Sequence, residues 1–170
     1  MAATSEPATG GTFDVRVAWR RDDPRIEADA IAMWTRLGIL AEGVKPEERA
    51  KQLVSAAYCG DQIAAVATAV VEHVSFLKNR FLVLRSMTVP EFRRSHAQVA
   101  LGIPSITALT DWAKANPQEK VAGMIAFVEP GAWGEAARMP RGPFFGWTLV
   151  AYSQRGHQVR VIWFDHFRLD

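Results

Sequence analysis

Residues 81–94 read FLVLRSMTVPEFRR, an apolar run that ends at Pro90 and passes into a polar, basic segment. Because proline cannot donate to a sheet, the run predicts a strand over residues 81–89. Residues 121–128 read VAGMIAFV, a continuous apolar run typical of a strand covered on both faces. Between these runs, apolar side chains recur at helical spacing as far as about Asn116. A strand, a helix and a strand in this order predict a parallel pair with a right-handed crossover.

The flanking sequence predicts further elements around this unit. Alternating apolar residues over 13–19 predict a half-buried strand. Residues 24–37 predict an amphipathic helix that Asp23 caps and Gly38 ends. A second helix begins at Pro46. The remaining predicted strands cover residues 54–58, 62–72, 146–153 and 159–167, and a short helix is expected within residues 130–141.

This order of elements predicts one α/β (α+β) domain over residues 13–170. Its sheet is expected to be mixed and mostly antiparallel, with helices on both faces and the parallel β-α-β unit at its centre. Residues 1–12 are small and polar, which predicts a disordered tail and no signal peptide. The helix before Asn116 has two possible starts: near residue 96 with a kink at Pro104, or at Pro104 itself.

Composition excludes several classes of function. The 170 residues include 20 Lys and Arg against 18 Asp and Glu, and a net charge of +2 disfavours a nucleic-acid binder. No apolar run approaches the roughly 20 residues of a membrane span, so no membrane partner is expected. The 4 His and the single Cys are dispersed, without the spacing of a metal site. The lone Cys59 allows no internal disulfide and predicts a reducing, cytoplasmic location.

Three short motifs, together with the element order, resemble the GNAT acyltransferase family. Residues 87–94, MTVPEFRR, are similar to the segment that ends the fourth GNAT strand, with Val89, Phe92 and Arg93 in comparable places. Residues 34–38, from Trp34 to Gly38, resemble the first-helix region, and residues 146–147, Gly-Trp, resemble the Gly-Phe near the sixth strand. The resemblance extends over nearly the whole chain and implies a GNAT-like fold.

The resemblance implies an N-acyltransferase that uses acetyl-CoA or another acyl-CoA and a small-molecule or peptide amine as acceptor. In such folds the pantetheine arm lies between the fourth and fifth strands, and the pyrophosphate lies at the N-terminus of the following helix. A homodimer is a further implied partner, because GNAT-like domains often dimerise through terminal strands. The cofactor-binding residues that the resemblance implies are Met87, Thr88, Val89, Arg93, Arg94, Ser95, His96, Ala97 and Gln98.

The sequence departs from the family at the phosphate motif, Arg/Gln-x-x-Gly-x-Gly/Ala. Residues 93–98 read RRSHAQ, so His96 and Gln98 stand where small residues would let the backbone approach a phosphate. One interpretation is that Arg93, Arg94 and His96 side chains replace part of the backbone contacts. The alternative is that CoA binding is lost and the chain is a non-catalytic GNAT-like domain that binds another ligand or a protein.

Candidate catalytic residues are few. Glu129 follows the fifth strand beside the expected cleft and is the candidate general base. The usual tyrosine position after that strand has no tyrosine, so Tyr152 on the sixth strand is the candidate acid for the leaving thiolate. A backbone N–H near residues 87–89 is the implied oxyanion donor. The candidate acceptor-binding residues are Trp34 and Leu37 in the first helix and Trp133 in a glycine-rich loop.

Overall fold

The computed structural model describes residues 12–169. Within them, the helices are α1 (Pro24–Leu37), α2 (Pro46–Ala50) and α3 (Ala97–Ala115). The strands are β1 (Asp14–Val17), β2 (Leu53–Cys59), β3 (Gln62–Val74), β4 (Asn79–Thr88), β5 (Val121–Val128), β6 (Thr148–Tyr152) and β7 (Gln158–Trp163). Except for Thr12, the predicted tail over residues 1–12 lies outside the described residues.

The strands form a seven-stranded sheet in the order β1-β2-β3-β4-β5-β7-β6. The pair β4 and β5 is parallel, and its shared register runs from Arg80 beside Val121 to Val83 beside Ile125. The pairs β1–β2, β2–β3, β5–β7 and β6–β7 are antiparallel. The predicted mixed, mostly antiparallel sheet with one parallel pair is therefore confirmed.

The contacts of the chain divide it into two compact units. We call residues 12–68 and 86–108 unit 1, and residues 69–85 and 109–169 unit 2. That one domain covers residues 13–170 stays a prediction.

Unit 1 contains α1, whose boundaries follow from its end residues. The Asp23 side chain accepts a hydrogen bond from the backbone N–H of Ile26 at 3.2 Å, and Pro24 occupies the first turn, where no N–H partner is needed. Gly38 ends the helix with φ 57°, in the left-handed region that favours glycine. The helix buries Ile26, Ala30, Met33 and Trp34.

Unit 2 is built on β5 and β7. Its core cluster consists of Val74, Phe81, Val83, Ala122, Ile125, Val159 and Val161. Gly123 lies in the middle of β5, opposite Trp163 of β7. A Cβ atom at this position would overlap the backbone carbonyl oxygen of Ile162, so only glycine allows the two strands to approach this closely.

Several boundaries differ from the sequence-based predictions. The first strand covers four residues, Asp14–Val17, instead of 13–19. The last strand ends at Trp163 and not at residue 167, because the chain turns there and the Phe167 N–H bonds the Phe164 carbonyl. The long helix begins at Ala97 and continues through Pro104, which settles the choice between its two possible starts. The short helix expected within residues 130–141 is a 3-10 turn, Gly134–Arg138.

None of the helices within residues 12–169 combines the length and the apolar character needed to cross a membrane.

Candidate functional site

A cavity of about 200 Å³ opens in unit 1 where β4 ends and α3 begins. It is lined by Thr88, Phe92, Arg93, Arg94, His96, Ala97, Gln98 and Val99. The residues predicted for the cofactor and found in this lining are Thr88, Arg93, Arg94, His96, Ala97 and Gln98. The other three predicted residues, Met87, Val89 and Ser95, are not part of the lining. The cavity therefore brings most of the predicted cofactor residues together, and their role stays a prediction.

A tight turn after β4 presents the two arginines. The Phe92 N–H bonds the Val89 carbonyl at 2.8 Å, and the Ser95 N–H bonds the Phe92 carbonyl at 3.0 Å. The Phe92 ring is buried and meets the Phe13 ring edge-on, with centroids 6.3 Å apart. This apolar anchor on one side of the turn leaves the Arg93 and Arg94 side chains exposed on the cavity side.

His96 has the backbone conformation of a glycine. Its φ is 64°, in the left-handed region where a side chain costs about 1 kcal/mol. Its carbonyl accepts the first helical hydrogen bond of α3, from the Ala100 N–H at 3.0 Å. His96 thus has the left-handed backbone that glycine favours while it carries an imidazole.

The start of α3 supplies hydrogen-bond donors to the same cavity. The N–H groups in the first turn of a helix have no acceptor within the helix, and the lining includes Ala97, Gln98 and Val99 from that turn. The aligned peptide dipoles add a partial positive charge there. Backbone and side chains therefore both favour an anion at this end of α3.

No acidic side chain among residues 12–169 pairs with the arginines of the cavity. Within the described part of the chain, the side chains of Arg93 and Arg94 have no ion-pair or hydrogen-bond partner. The neighbouring Glu91 is engaged by Arg36, with Nη1 and Oε1 3.4 Å apart. A hydrogen bond from its own backbone amide and the proximity of Arg36 lower the pKa of Glu91. Glu91 is thus paired with a different arginine.

Thr88 contributes an unused polar group. Its Oγ1 atom is buried and has no hydrogen-bond partner among the described residues. A buried hydroxyl without a partner costs roughly 1–3 kcal/mol, and a bound ligand that accepts its hydrogen would recover this loss. By contrast, the Gln98 amide that lines the same cavity donates to Ser86 Oγ at 2.9 Å.

One candidate oxyanion donor is already occupied. The Val89 N–H donates to the Ala64 carbonyl of β3 at 2.8 Å. The resemblance implies an oxyanion donor within residues 87–89. The amides of Met87 and Thr88 therefore remain the candidate donors.

Unit 2 contains a second arginine-centred cluster that the sequence-based reasoning missed. The Arg160 side chain is completely buried. Its Nε donates to Gln158 Oε1 at 2.8 Å, and Nη2 donates to the carbonyls of Ala137 and Met139 at 3.0 and 2.9 Å. Burial lowers the pKa of Arg160. Among residues 12–169, no carboxylate forms an ion pair with this guanidinium.

Unit 2 also contains the predicted catalytic residues Glu129 and Tyr152 and the predicted acceptor residue Trp133. The Trp133 ring faces the Arg160 guanidinium, with 5.0 Å between the guanidinium carbon and the ring centroid. Tyr152 is 64% exposed and lies directly opposite Gln158 in the β6–β7 register. Glu129 is exposed just after β5. Their catalytic and binding roles stay predictions.

The other two predicted acceptor residues belong to α1 of unit 1. Trp34 is only 4% exposed and packs in the core of that unit. Leu37 is half-buried in the last turn of the helix. Leu37 is thus the more accessible of the pair, and the acceptor roles that the resemblance implies for both stay predictions.

No group of histidine, cysteine and acidic side chains in residues 12–169 has the arrangement needed to hold a metal ion.

Comparison with known proteins identifies the fold. No protein-family model matches the sequence, and no curated protein sequence matches it either. An acetyltransferase of the GNAT family from Streptococcus pneumoniae superimposes with a TM-score of 0.54 and 11% identity, over 89% of this chain and 99% of that one. A structure described as a bacterial toxin superimposes with a TM-score of 0.58 and 12% identity, over 91% and 93% of the two chains. The chain has the GNAT fold, as the sequence motifs indicated.

Proposed function

We propose that the chain binds an acyl-CoA at the start of α3 and transfers the acyl group to an amine acceptor. The observation on which this rests is the cavity in which the unpaired Arg93 and Arg94 meet the first turn of α3. Two uncompensated guanidinium groups beside free backbone donors form a site for a multiply charged anion. The GNAT fold supports acyl-CoA as the source of that anion.

The residues present fit a CoA pyrophosphate, although not in the usual way. Arginine forks bind phosphate oxygens with two parallel hydrogen bonds. The imidazole of His96 and the free hydroxyl of Thr88 add two further groups. The side chains at positions 96 and 98 keep the backbone from approaching a phosphate as closely as glycines would. We therefore assign the main phosphate contacts to side chains.

Acyl-CoA supplies a thioester, whose carbonyl carbon an amine attacks while the carbon–sulfur bond breaks. The amine must lose a proton and the departing sulfur must gain one. Glu129 remains the proposed base and Tyr152 the proposed acid, and both side chains are exposed to solvent. The amides of Met87 and Thr88 remain the proposed oxyanion donors.

The experiment that tests this proposal mixes the purified chain with acetyl-CoA and a panel of primary amines and detects acylated products by mass spectrometry. We expect product that depends on both the enzyme and the amine. Joint substitution Arg93→Ala and Arg94→Ala should raise the KM for acetyl-CoA at least about tenfold. The matched control is Arg138→Ala, an exposed arginine of unit 2, which should leave that KM unchanged. Absence of both product and CoA binding would refute the proposal.

A second candidate function is binding of CoA or a similar anion without transfer. The engaged N–H of Val89 favours it, because one of the three implied oxyanion donors is already bonded to Ala64. The same experiment separates the two functions. Saturable binding without product from any amine selects the binding function, whereas product formation selects the transferase.

A further inference from the structure

The segment between β5 and β6, residues 129–147, is long for a connection inside a folded unit. We call it the β5–β6 loop. Its regular structure is a single 3-10 turn, Gly134–Arg138, and an isolated bridge between Arg141 and Thr148. Loops of this length are usually disordered or functional. This one nevertheless has a defined path. Local backbone hydrogen bonds hold parts of it, such as that from the Gly142 N–H to the Trp147 carbonyl, and one side chain joins these parts to β7.

That side chain is Arg160 of β7. Its guanidinium donates to three carbonyls of the loop: those of Ala137, Met139 and Trp147, the last at 3.4 Å. The three acceptors are separated in sequence, and the Trp147 carbonyl also accepts the Gly142 N–H at 2.7 Å. One planar, multidentate group thus joins three separate points of the loop to β7.

Neighbouring side chains strengthen the same arrangement. Gln158 accepts a hydrogen bond from Arg160 Nε and donates one to the Ala137 carbonyl at 2.8 Å. The Trp133 ring faces the guanidinium. Gly142 also lies close to the ring, because a Cβ there would be 3.3 Å from Trp133 Cζ3. Two side chains of β7 therefore bind the loop backbone, and the indole contacts both Arg160 and the loop.

The chemistry of this contact requires arginine. Burying a cation without a carboxylate partner is unfavourable, and hydrogen bonds from several carbonyl dipoles must offset the lost hydration. A lysine ammonium has the same charge but no planar fork that could reach separated carbonyls together. A requirement for positive charge alone would be met by lysine. A requirement to donate hydrogen bonds to several separated loop carbonyls is met by arginine.

We infer that Arg160 is a positioning residue, which holds the β5–β6 loop and Trp133 in one conformation and thereby sets the affinity for the acceptor amine. The part of this inference that concerns the acceptor rests on the proposed function and on the predicted acceptor role of Trp133. The part that concerns the loop rests on the hydrogen bonds of Arg160 alone.

Hydrogen exchange tests the part that concerns the loop. The full chain is compared with Arg160→Lys, Arg160→Met and Gln158→Leu, and the control is Arg138→Met, whose exposed side chain pairs with the equally exposed Glu135. We expect amide exchange in residues 133–142 to rise at least about tenfold in both Arg160 variants and less in Gln158→Leu. Amides of β5 and β7 should accelerate by no more than the loss of global stability of the same variant accounts for. Unchanged loop exchange, or equal acceleration in loop and strands, would overturn the inference.

Kinetics tests the part that concerns the acceptor. In Arg160→Lys we expect the KM for the acceptor to rise about tenfold while the KM for acetyl-CoA stays within about twofold. If amide exchange in the loop rises while the KM for the acceptor stays unchanged, the claim that Arg160 sets acceptor affinity is overturned. If the unaltered chain transfers no acyl group, the proposed function fails, and loop exchange alone then supports or overturns the positioning role. Should Arg160→Met fail to fold, Arg160→Lys and Gln158→Leu give the same comparison.

Discussion

Arginines of this chain serve two opposite purposes, at the start of α3 and behind the β5–β6 loop. Arg93 and Arg94 are exposed and unpaired among the described residues, and they border a cavity. Arg160 is fully buried, with hydrogen bonds to three backbone carbonyls and to Gln158. Exposed guanidinium groups without protein partners indicate a ligand site. A buried guanidinium that donates several hydrogen bonds to the protein indicates a structural role. The count of 15 Arg against 5 Lys, taken alone, does not separate these roles.

The largest effect should come from removing the buried guanidinium. Arg160→Met takes the donor from the Met139 carbonyl and from the Gln158 amide oxygen, and each buried unsatisfied group is costly. The carbonyls of Ala137 and Trp147 lose one donor and keep another, from Gln158 and Gly142 respectively. We expect the free energy of unfolding to fall by about 3 kcal/mol. Urea denaturation measures this loss, and the exposed Arg138→Met should change stability by less than about 0.5 kcal/mol. Equal small losses in both variants would erase the contrast between buried and exposed arginines.

The exposed pair should show the reverse pattern, with a large effect on binding and little on stability. Joint substitution Arg93→Ala and Arg94→Ala would remove the charge-assisted hydrogen bonds that we propose these side chains donate to phosphate. We expect the Kd for CoA to rise at least about tenfold, which corresponds to about 1.4 kcal/mol. Calorimetric titration measures the change, and the affinity of the unaltered chain should fall as salt is raised. A double variant that binds CoA as well as the unaltered chain would exclude these arginines from the site.

Tyr58 extends the comparison to a buried polar group that does have an acidic partner. Its ring is buried in unit 1, and its hydroxyl donates to Asp29 Oδ2 at 2.9 Å. Burial, and then the hydrogen bond to Asp29, raise the pKa of Tyr58 above the ordinary value of 10.0.

This raised pKa predicts a loss of stability in alkali. Above about pH 10 the unfolded chain ionises this tyrosine while the folded chain retains the proton, so each further pH unit should cost about 1.4 kcal/mol. Below that pH the contribution is fully present. Urea denaturation between about pH 9 and about pH 11 should show a steeper fall for the unaltered chain than for Tyr58→Phe. Parallel curves would contradict this.

His96→Gly should give the smallest effect. It distinguishes side-chain contacts to phosphate from backbone contacts at the start of α3. Removing the side chain relieves the left-handed conformation, so we expect unfolding to require up to about 1 kcal/mol more. If side chains supply the phosphate contacts, CoA binding should also weaken, by about threefold. Lys120→Gly is the matched control, because Lys120 has φ 48° in unit 2 and should show the stability gain alone. Tighter CoA binding by His96→Gly would instead mean that the imidazole obstructs a backbone cradle.

Elements whose ends are set by local chemistry were predictable from the sequence. The α1 helix has its predicted boundaries because Asp23, Pro24 and Gly38 act on their immediate neighbours. The β5 strand also has its predicted boundaries, since a continuous apolar run between polar residues leaves few alternatives.

Features that depend on tertiary packing were not predictable. Arg160 stands in the alternating stretch QVRVIW, where an arginine is expected to face solvent. It is buried because an irregular loop, which has no pattern of its own, covers it. In the same way, the degree of burial of Trp34, which is 4% exposed, depends on what packs against α1 and could not be read from the sequence of the helix alone. Nothing in the sequence indicated the left-handed backbone of His96 except the family motif, which has glycine where this chain has His96.

The central claim is that the start of α3 binds CoA through its side chains. Titration of the isotope-labelled chain with CoA, followed by nuclear magnetic resonance, tests the claim most directly because it locates the ligand. We predict saturable shifts of the amide signals within residues 88–99, lost when Arg93 and Arg94 are both replaced by alanine. Absence of any shift at millimolar CoA, or saturable shifts confined to residues outside 88–99, would contradict the claim.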